Sequence, residues 1–184
     1  MDKVERVFRR LKAEGKIKIA KDIAMKKWVP NFKAGIFKKM KYNARMNGLS
    51  EEDIEFCLLH EEGHFKCPVK KREWFYLVIS SLLFYLFTSF FPSSGVIAMF
   101  LFLLYIRVWA FEFYQKYEYF ADEFAAKNVP NPSERISALN RIPKNQNKWL
   151  YYILITVGVE YLHPTIEERK NRIKDKFPRN EVGS

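Results

Sequence analysis

The sequence predicts a mainly α-helical protein with a small β-sheet near its amino terminus, which places it in the α+β class. Three observations support this prediction. Residues 16–48 alternate between apolar and polar side chains, a capped helical pattern begins at Glu51, and two long apolar stretches follow it. The chain has 184 residues, enough for a domain with a hydrophobic core, so we expect a single domain over residues 1–184.

The first 48 residues predict a short helix followed by the small sheet. Residues 1–15 are basic and amphipathic, and their apolar side chains share one side of a helix: Val4, Val7, Phe8 and Leu11. Between residues 16 and 48, β-branched and aromatic residues lie among charged ones and glycines. We expect one hairpin or small sheet there, with Pro30 and Gly35 in the connection.

The next helix is predicted to run from about Glu51 to about Lys66. Ser50 is a good N-cap, and acids at positions 51–53 match the positive end of the helix dipole. An apolar stripe runs along the helix through Ile54, Cys57, Leu58 and Phe65. The helix should end before Pro68, because a proline disfavours helical geometry in the residue that precedes it.

Residues 74–111 predict an inserted transmembrane hairpin of two helices. Trp74 to Phe91 is uncharged, and Val96 to Phe111 is apolar apart from Arg107. A helix of about 18 residues is about 27 Å long, close to the roughly 30 Å hydrocarbon core of a bilayer. Turn residues separate the two stretches. The alternative is a buried hairpin in a soluble protein, which a chain of this size could hardly cover.

The distribution of charge predicts the orientation of this hairpin. Lysines and arginines lie at its base and none lies at its apex; those at the base include Lys66, Lys70, Lys71, Arg72, Arg107 and Lys116. By the positive-inside rule the base faces the cytoplasm. We therefore expect a multi-pass protein of the cell membrane whose remaining residues are cytoplasmic.

The net charge of the chain also indicates a membrane as its partner. The chain has 32 Lys and Arg against 21 Asp and Glu, a net charge of +11, which suits a nucleic acid or an anionic lipid surface. The long uncharged stretch favours a lipid bilayer, so we expect no nucleic-acid partner. Two cysteines, Cys57 and Cys67, predict reduced thiols rather than a disulfide framework.

The second apolar stretch should continue as one helix, because no glycine or proline occurs before Lys127. Ser133 is predicted to cap a helix over residues 134–142. Trp149–Val159 is apolar but too short to span a bilayer, so we expect it to be buried or to lie at the interface. A final basic helix is predicted to start near Pro164.

The stretch "HEEGH" within the helix at 51–66 suggests metal chemistry. His60 and His64 are four residues apart and so share one helix face, where each can offer a ring nitrogen to one zinc ion. Glu61 lies beside them, where a carboxylate could accept a proton from a zinc-activated water. The short pattern also arises by chance in a solvated charged helix, so the alternative is a stretch with no metal.

A zinc peptidase needs a third ligand, and the candidates are acids of the second long helix. Glu118 and Asp122 are again four residues apart. Glu118 could bind zinc while Asp122 accepts a hydrogen bond from a ligand histidine. The alternative is that both are surface acids. His163 could be a core or capping histidine, or it could stabilise an oxyanion, as could Arg169.

Three motifs resemble those of a known family. The segments "SEEDIEFCLLHEEGH", "EYFAD" and "HPTIEER" occur in this order, with the apolar hairpin after the first. They resemble the integral-membrane gluzincin metallopeptidases, which comprise HtpX-like proteases and CAAX prenyl proteases of the type that processes yeast a-factor. The resemblance covers about residues 35–175. It implies a gluzincin-like zinc peptidase domain into which the hairpin is inserted, with one Zn²⁺ per chain.

The resemblance also implies a role for each matching residue. It assigns zinc binding to His60, His64 and Glu118, and the general base to Glu61. It implies that Asp122 orients a ligand histidine and that the transition state is stabilised by His163 and Arg169. In this family a strand before the active helix is an edge to which substrate adds. Here that edge would be part of residues 36–47, with Asn43 and Ala44 as substrate-binding residues.

The sequence therefore predicts a membrane-anchored zinc metalloendopeptidase with a cytoplasmic active site and polypeptide substrates that are membrane-associated or unfolded. Family members usually have more transmembrane segments, so this chain looks like a minimal version whose missing helices come from self-association or a partner. The alternatives are a CAAX prenyl protease and a latent or non-catalytic zinc-bound membrane scaffold. In a latent form, a segment such as the N-terminal helix or residues 29–35 would occupy the cleft.

Overall fold

The computed structural model describes residues 1–27, 29, 32–90, 95–136 and 164–177. These residues form helices α1 (Lys3–Ala13), α2 (Glu51–Lys66), α3 (Val69–Phe90), α4 (Gly95–Ala126), α5 (Pro132–Arg135) and α6 (Ile166–Lys176). Strands β1 (Asp22–Met25), β2 (Phe32–Ala34) and β3 (Lys39–Tyr42) precede α2, with short 3-10 helices at Ile36–Lys38 and Ala44–Gly48. The prediction of a mainly helical protein with a small amino-terminal sheet is confirmed.

The three strands form one sheet in the order β1-β3-β2. β1 pairs with β3 in parallel, with Asp22 opposite Lys39, and β2 pairs with β3 in antiparallel, with Lys33 opposite Lys41. Gly35 turns the chain between β2 and β3, where a Cβ atom would lie 2.5 Å from the backbone oxygen of Lys39. No larger residue fits that turn without a shift of the backbone.

The predicted edge strand within residues 36–47 is wrong as to its position. β3 is the strand that forms in this range, and it lies in the centre of the sheet with a partner on each side. The free edge next to α2 belongs to β2 instead. Of the two residues expected in the connection, Gly35 lies between β2 and β3, whereas Pro30 lies outside the described residues.

The core lies between α1, the sheet and the buried side of α2. All four apolar residues predicted for α1 are buried: Val4, Val7, Phe8 and Leu11. They form one cluster with Met40 and Tyr42 of the sheet and with Ile54 and Leu58 of α2. Burial of such side chains provides most of the stabilisation of a domain of this size.

Helix α2 begins and ends where the sequence predicts. The Oγ atom of Ser50 accepts a hydrogen bond from the backbone N–H of Asp53 at 3.1 Å, which satisfies one of the free donors of the first turn. The helix ends at Lys66, two residues before Pro68.

Glu62, which is fully buried on α2, ties this helix to the segment between α1 and β1. Its Oε1 accepts the backbone N–H groups of Lys18 at 2.8 Å and Ile19 at 2.7 Å, and its Oε2 accepts that of Ala20 at 3.0 Å. Three donors that no strand satisfies are thus paired by one carboxylate. This contact fixes the rotation of α2 about its axis relative to the amino-terminal segment.

The apolar hairpin forms as two helices in contact. The ring of Phe84 on α3 stacks on Phe102 of α4 at 4.2 Å between centroids, and Oγ of Ser80 lies 2.9 Å from the hydroxyl of Tyr105. α3 starts at Val69 rather than at Trp74, so its first turns include the basic residues of the predicted flank. In the part of the chain that the structure describes, no helix has a stretch long and apolar enough to cross a membrane.

The last helices agree with the prediction only in part. α5 starts at Pro132, with Asn131 as its N-cap, rather than after Ser133, and its predicted extension to residue 142 lies mostly outside the described residues. Trp149–Val159 also lies outside them. α6 begins close to Pro164, and Thr165 and Glu168 form a capping box at its start.

Candidate metal centre

His60 and His64 lie one turn apart on α2, and Glu118 of α4 faces both rings. Nε2 of His60 is 3.5 Å from Oε2 of Glu118, and Nε2 of His64 is 3.6 Å from Oε1 of the same carboxylate. One ligand atom from each residue lies within 4.8 Å of the other two, and all three side chains are buried. The structure thus brings together the three residues that the sequence suggested as ligands.

The arrangement of these atoms fits a zinc ion. A tetrahedral ion held at about 2.0–2.2 Å separates its ligand atoms by roughly 3.3–3.6 Å. Each histidine nitrogen lies at about this distance from one oxygen of the Glu118 carboxylate, 3.5 Å to Oε2 for His60 and 3.6 Å to Oε1 for His64, and the three ligand atoms lie within 4.8 Å of one another. Two imidazole nitrogens and one carboxylate are also the donors of many catalytic zinc sites, which keep the fourth position open.

Asp122 lies behind His60, on the side of the ring away from Glu118. Nδ1 of His60 donates a hydrogen bond to Oδ1 of Asp122 at 2.9 Å, because an ionised carboxylate can only accept. In the neutral form of the ring, which a metal ligand requires, that bond leaves the lone pair of Nε2 directed towards Glu118. Asp122 therefore sets the ring orientation and tautomer that a metal ligand needs.

Arg169, buried on α6, holds Asp122 in place with two hydrogen bonds. Its Nε donates to Oδ2 of Asp122 at 2.7 Å, and its Nη2 donates to Oδ1 at 2.6 Å. The same Nη2 lies 3.4 Å from Oε2 of Glu118. Burial raises the pKa of Asp122, but Arg169 and His60 outweigh this effect and hold the pKa below its usual value. The acid is therefore an anion at neutral pH.

His60 and His64 differ in pKa, and only His60 contacts Asp122. Burial lowers the pKa of His60, but its hydrogen bonds to Asp122 and Glu118 raise it more, to about 9. Burial and the nearby His60 lower the pKa of His64 to about 3. The two carboxylates therefore favour one positive charge beside His60, and a bound cation would supply such a charge.

Glu61 follows His60 on α2 and contacts the sheet. Its Oε2 accepts a hydrogen bond from the backbone N–H of Ala34, the last residue of β2. Burial raises the pKa of Glu61 to about 7, although His60 and the N–H of Ala34 act in the opposite direction. A carboxyl group that titrates near neutral pH can both accept and donate a proton under physiological conditions.

The comparison with protein families agrees with this geometry. Residues 3–176 match the model described as Peptidase family M48. The chain belongs to peptidase family M48. No curated protein and no solved structure gives a significant match. The resemblance to HtpX-like and CAAX prenyl proteases is thereby confirmed, and the family consists of zinc-dependent metallopeptidases.

An aromatic contact of this M48 protein was not predicted from the sequence. The ring of Tyr117 stacks on His64 at 4.2 Å between centroids, and its hydroxyl donates to the backbone oxygen of His64 at 3.2 Å. Phe113 and Trp109 extend the stack along α4. The spacing of four residues between these aromatic rings was a sequence signal for this face. Among the described residues, Nδ1 of His64 is buried without a hydrogen-bond partner.

Of the remaining predicted residues of the M48 site, Asn43 contacts the chain on either side of β3. The side-chain amide of Asn43 donates to the backbone oxygens of Lys27 at 3.1 Å and Val29 at 2.9 Å, and its oxygen accepts from the backbone N–H of Arg45. Asn43 therefore stabilises the turn after β3. Substrate binding by Asn43 and Ala44, and transition-state stabilisation by Arg169, stay predictions. His163 lies outside the described residues.

Proposed function

We propose that this M48 protein is a zinc-dependent metalloendopeptidase that hydrolyses peptide bonds in membrane-associated or unfolded proteins. The observation that carries the proposal is the convergence of two histidine nitrogens and one carboxylate, all buried, within 4.8 Å of one another, which is the donor set of many catalytic zinc sites. Membership of the M48 family supports the same activity. One zinc ion per chain would be held by His60, His64 and Glu118.

Each residue around the site has a distinct part in the proposed reaction. A zinc ion bound there supplies Lewis acidity, which lowers the pKa of a water molecule towards 7. Glu61 would accept a proton from the attacking water and later donate it to the leaving amine, and its pKa of about 7 suits both transfers. Asp122 and Arg169 keep the ring of His60 in position throughout.

We further propose that the α3–α4 hairpin anchors the protein in a membrane, with the active site on the cytoplasmic side. Large apolar side chains are exposed along both helices, among them Leu83 with 61% and Leu101 with 58% of its surface exposed. Soluble monomers rarely expose apolar surface on this scale. The lysines and arginines at the base of the hairpin, and their absence at its apex, support the orientation.

Glu61→Gln tests the catalytic proposal, because it keeps the shape of the side chain and removes the base. The substrate is casein, and the zinc-loaded protein is assayed in detergent. We expect the variant to retain zinc and to lose at least about 100-fold in kcat. Glu52→Gln, an exposed substitution in the first turn of the same helix, should keep full activity. Equal cleavage by wild type and Glu61→Gln would refute the role of Glu61.

A second candidate is a latent form of the same enzyme. The observation in its favour is the hydrogen bond from Ala34 to Glu61, which occupies one acceptor position of this carboxylate with the chain's own β2. A wild-type protein that binds zinc yet is as inactive on casein as Glu61→Gln would support this form. A prenylated peptide assayed in parallel tests whether the lack of activity reflects a narrower substrate class.

A further inference from the structure

The solvent side of the sheet carries lysines on adjacent strands. Lys33 of β2 is directly opposite Lys41 of β3, and Lys39 shares their face because it is two residues from Lys41. The other face of the same strands is buried through Phe32 and Met40. Like charges directly opposite in an antiparallel pair repel each other. We call these three lysines the lysine face.

The surrounding sequence adds to the positive charge. Residues 23–49 contain seven lysines and arginines and no aspartate or glutamate: Lys26, Lys27, Lys33, Lys38, Lys39, Lys41 and Arg45. Among the residues of the three strands the one acid is Asp22, opposite Lys39 at the start of β1, and Glu61 of α2 is close enough to Lys33 for their charges to interact. More than half of the chain's net charge of +11 is therefore concentrated in this segment. Charge concentrated in one segment favours binding to an anionic partner.

The loop between β2 and β3 presents an aromatic ring to solvent. Phe37 has 83% of its surface exposed, and its backbone lies in the left-handed region with φ of 60°. Lys38 follows with φ of 59°. Residues with a Cβ atom rarely adopt this conformation, and exposure of a phenyl ring provides no hydrophobic stabilisation. Strained backbone that holds out an apolar ring indicates a role in contact with a partner.

We propose that the lysine face and Phe37 form a docking surface for an anionic lipid bilayer. The ring of Phe37 enters the interfacial region, while the lysines contact the phosphate groups of the lipids. This contact would be separate from the hairpin. It would hold the sheet, and with it the active-site end of α2, against the membrane surface.

The arrangement favours a lipid surface over an acidic polypeptide. An extended peptide would add to the free edge of β2, but the N–H of Ala34 at that edge is already bonded to Glu61. The lysines instead lie on a sheet face, where they meet a planar array of charges. An exposed phenyl ring followed by two lysines is also the composition of an interfacial anchor.

The test uses an environment-sensitive fluorophore attached at Lys38→Cys, beside the ring. Wild-type protein treated in the same way is the blank, since Cys57 and Cys67 are both buried. The labelled full-length protein is mixed with phosphatidylcholine vesicles, with or without about one third phosphatidylglycerol. We expect a blue shift with anionic vesicles only, reversed at high salt, because screening weakens contacts between exposed charges.

Substitutions assign the signal to the surface. Lys33→Gln with Lys39→Gln should weaken vesicle binding by about fivefold for each lysine, and addition of Phe37→Ser should abolish the blue shift. The control variant combines Lys127→Gln with Lys174→Gln, at two exposed lysines outside the proposed docking surface. It lowers the net charge by the same amount as the double lysine variant and should leave the blue shift intact. Circular dichroism confirms that each variant is folded. The double lysine variant, which keeps Phe37, provides the test if the triple variant does not fold.

Four results would overturn the proposal. An equal shift with neutral and anionic vesicles would show that only the hairpin brings the probe to the membrane. Equal loss in the charge-matched control would show that net charge, not this surface, is responsible. A shift with poly-glutamate but none with anionic vesicles would identify an acidic polypeptide as the partner. Vesicle binding without a shift at residue 38 would support the hairpin anchor and contradict the docking surface.

Discussion

Asp122 shows how one buried side chain can control a metal site that it does not bind. It accepts hydrogen bonds from His60 and from Arg169, and so links the ring of a ligand to α6. Groups that orient ligand histidines in this way typically contribute 10- to 100-fold to metal affinity. The same carboxylate also places negative charge close to the cation site.

We expect Asp122→Asn to weaken zinc binding by about 10- to 100-fold, because an amide oxygen accepts from His60 less strongly than a carboxylate. Titration of zinc against a competing chelator measures the change without the use of activity. Glu123→Gln is the matched control, since Glu123 pairs with Arg172 and Lys176 on the outer side of α4. Equal zinc affinity in wild type and Asp122→Asn would show that the bond to His60 has no effect on the metal.

At the scale of elements, the site depends on how closely α2 approaches α4. Gly63 lies between the two ligand histidines, and a Cβ atom there would lie 2.8 Å from Cα and 3.1 Å from the oxygen of Ala121. It would also lie 3.2 Å from Cβ of Phe124. Because two of these three atoms are backbone, the helices can admit a methyl group only by moving apart.

We expect Gly63→Ala to lower the free energy of unfolding by about 1–3 kcal/mol and to reduce bound zinc, because it separates the histidines from Glu118. Thermal unfolding in detergent and metal analysis measure the two effects. Gly48→Ala is the control: a Cβ atom there meets nothing within 4 Å, so stability should change by less than about 0.5 kcal/mol. Normal zinc content and stability in Gly63→Ala would contradict the close contact.

At the scale of the whole molecule, the main feature is the contrast between a buried catalytic part and an exposed apolar hairpin. The amino-terminal half has a core of buried side chains, whereas α3 and α4 expose large apolar side chains along most of the hairpin. This division places the chemistry and the proposed anchor on the same helix, since α4 belongs to both.

We expect Leu83→Lys combined with Leu101→Lys to move the protein out of the detergent-rich phase in a cloud-point separation. Each lysine costs about 2.5–3.5 kcal/mol when it is placed in hydrocarbon. Met25→Lys, at an exposed position of β1, should leave the partition unchanged. Recovery of the wild-type protein from the aqueous phase would contradict the proposed membrane anchor.

The sequence predicts best those features that depend on local chemistry. The limits of α2 follow from its cap at Ser50 and from Pro68, and both limits agree with the structure. The pairing of Glu118 and Asp122 on one face of a helix follows from their spacing. The start of α3 was missed because the prediction used polarity to mark the boundary, although charged residues such as Lys70 and Arg72 are compatible with a helix.

Features that depend on distant contacts could not be predicted. The position of β2 at the sheet edge is decided by packing on α2, because a strand of three residues has little preference of its own. The bond from Ala34 to Glu61 and the three bonds to Glu62 join segments that are 27 to 44 residues apart. The position of Arg169 beside Asp122 requires the packing of α6 on α4, which no periodic pattern reveals.

The length of α4 has a mechanical consequence. The helix has 32 residues, so it is about 48 Å long, and the side chains through which it contacts α2 lie near its carboxyl-terminal end, among them Tyr117, Glu118 and Asp122. Its first residue, Gly95, lies about 33 Å from Tyr117 along the helix axis. Because one continuous helix joins these two regions, a tilt of the hairpin tip relative to α2 would reach the segment that carries Glu118. Zinc–ligand distances in a well-formed site vary by only about 0.2 Å, so even a small shift of that segment would change how well Glu118 could hold a metal ion.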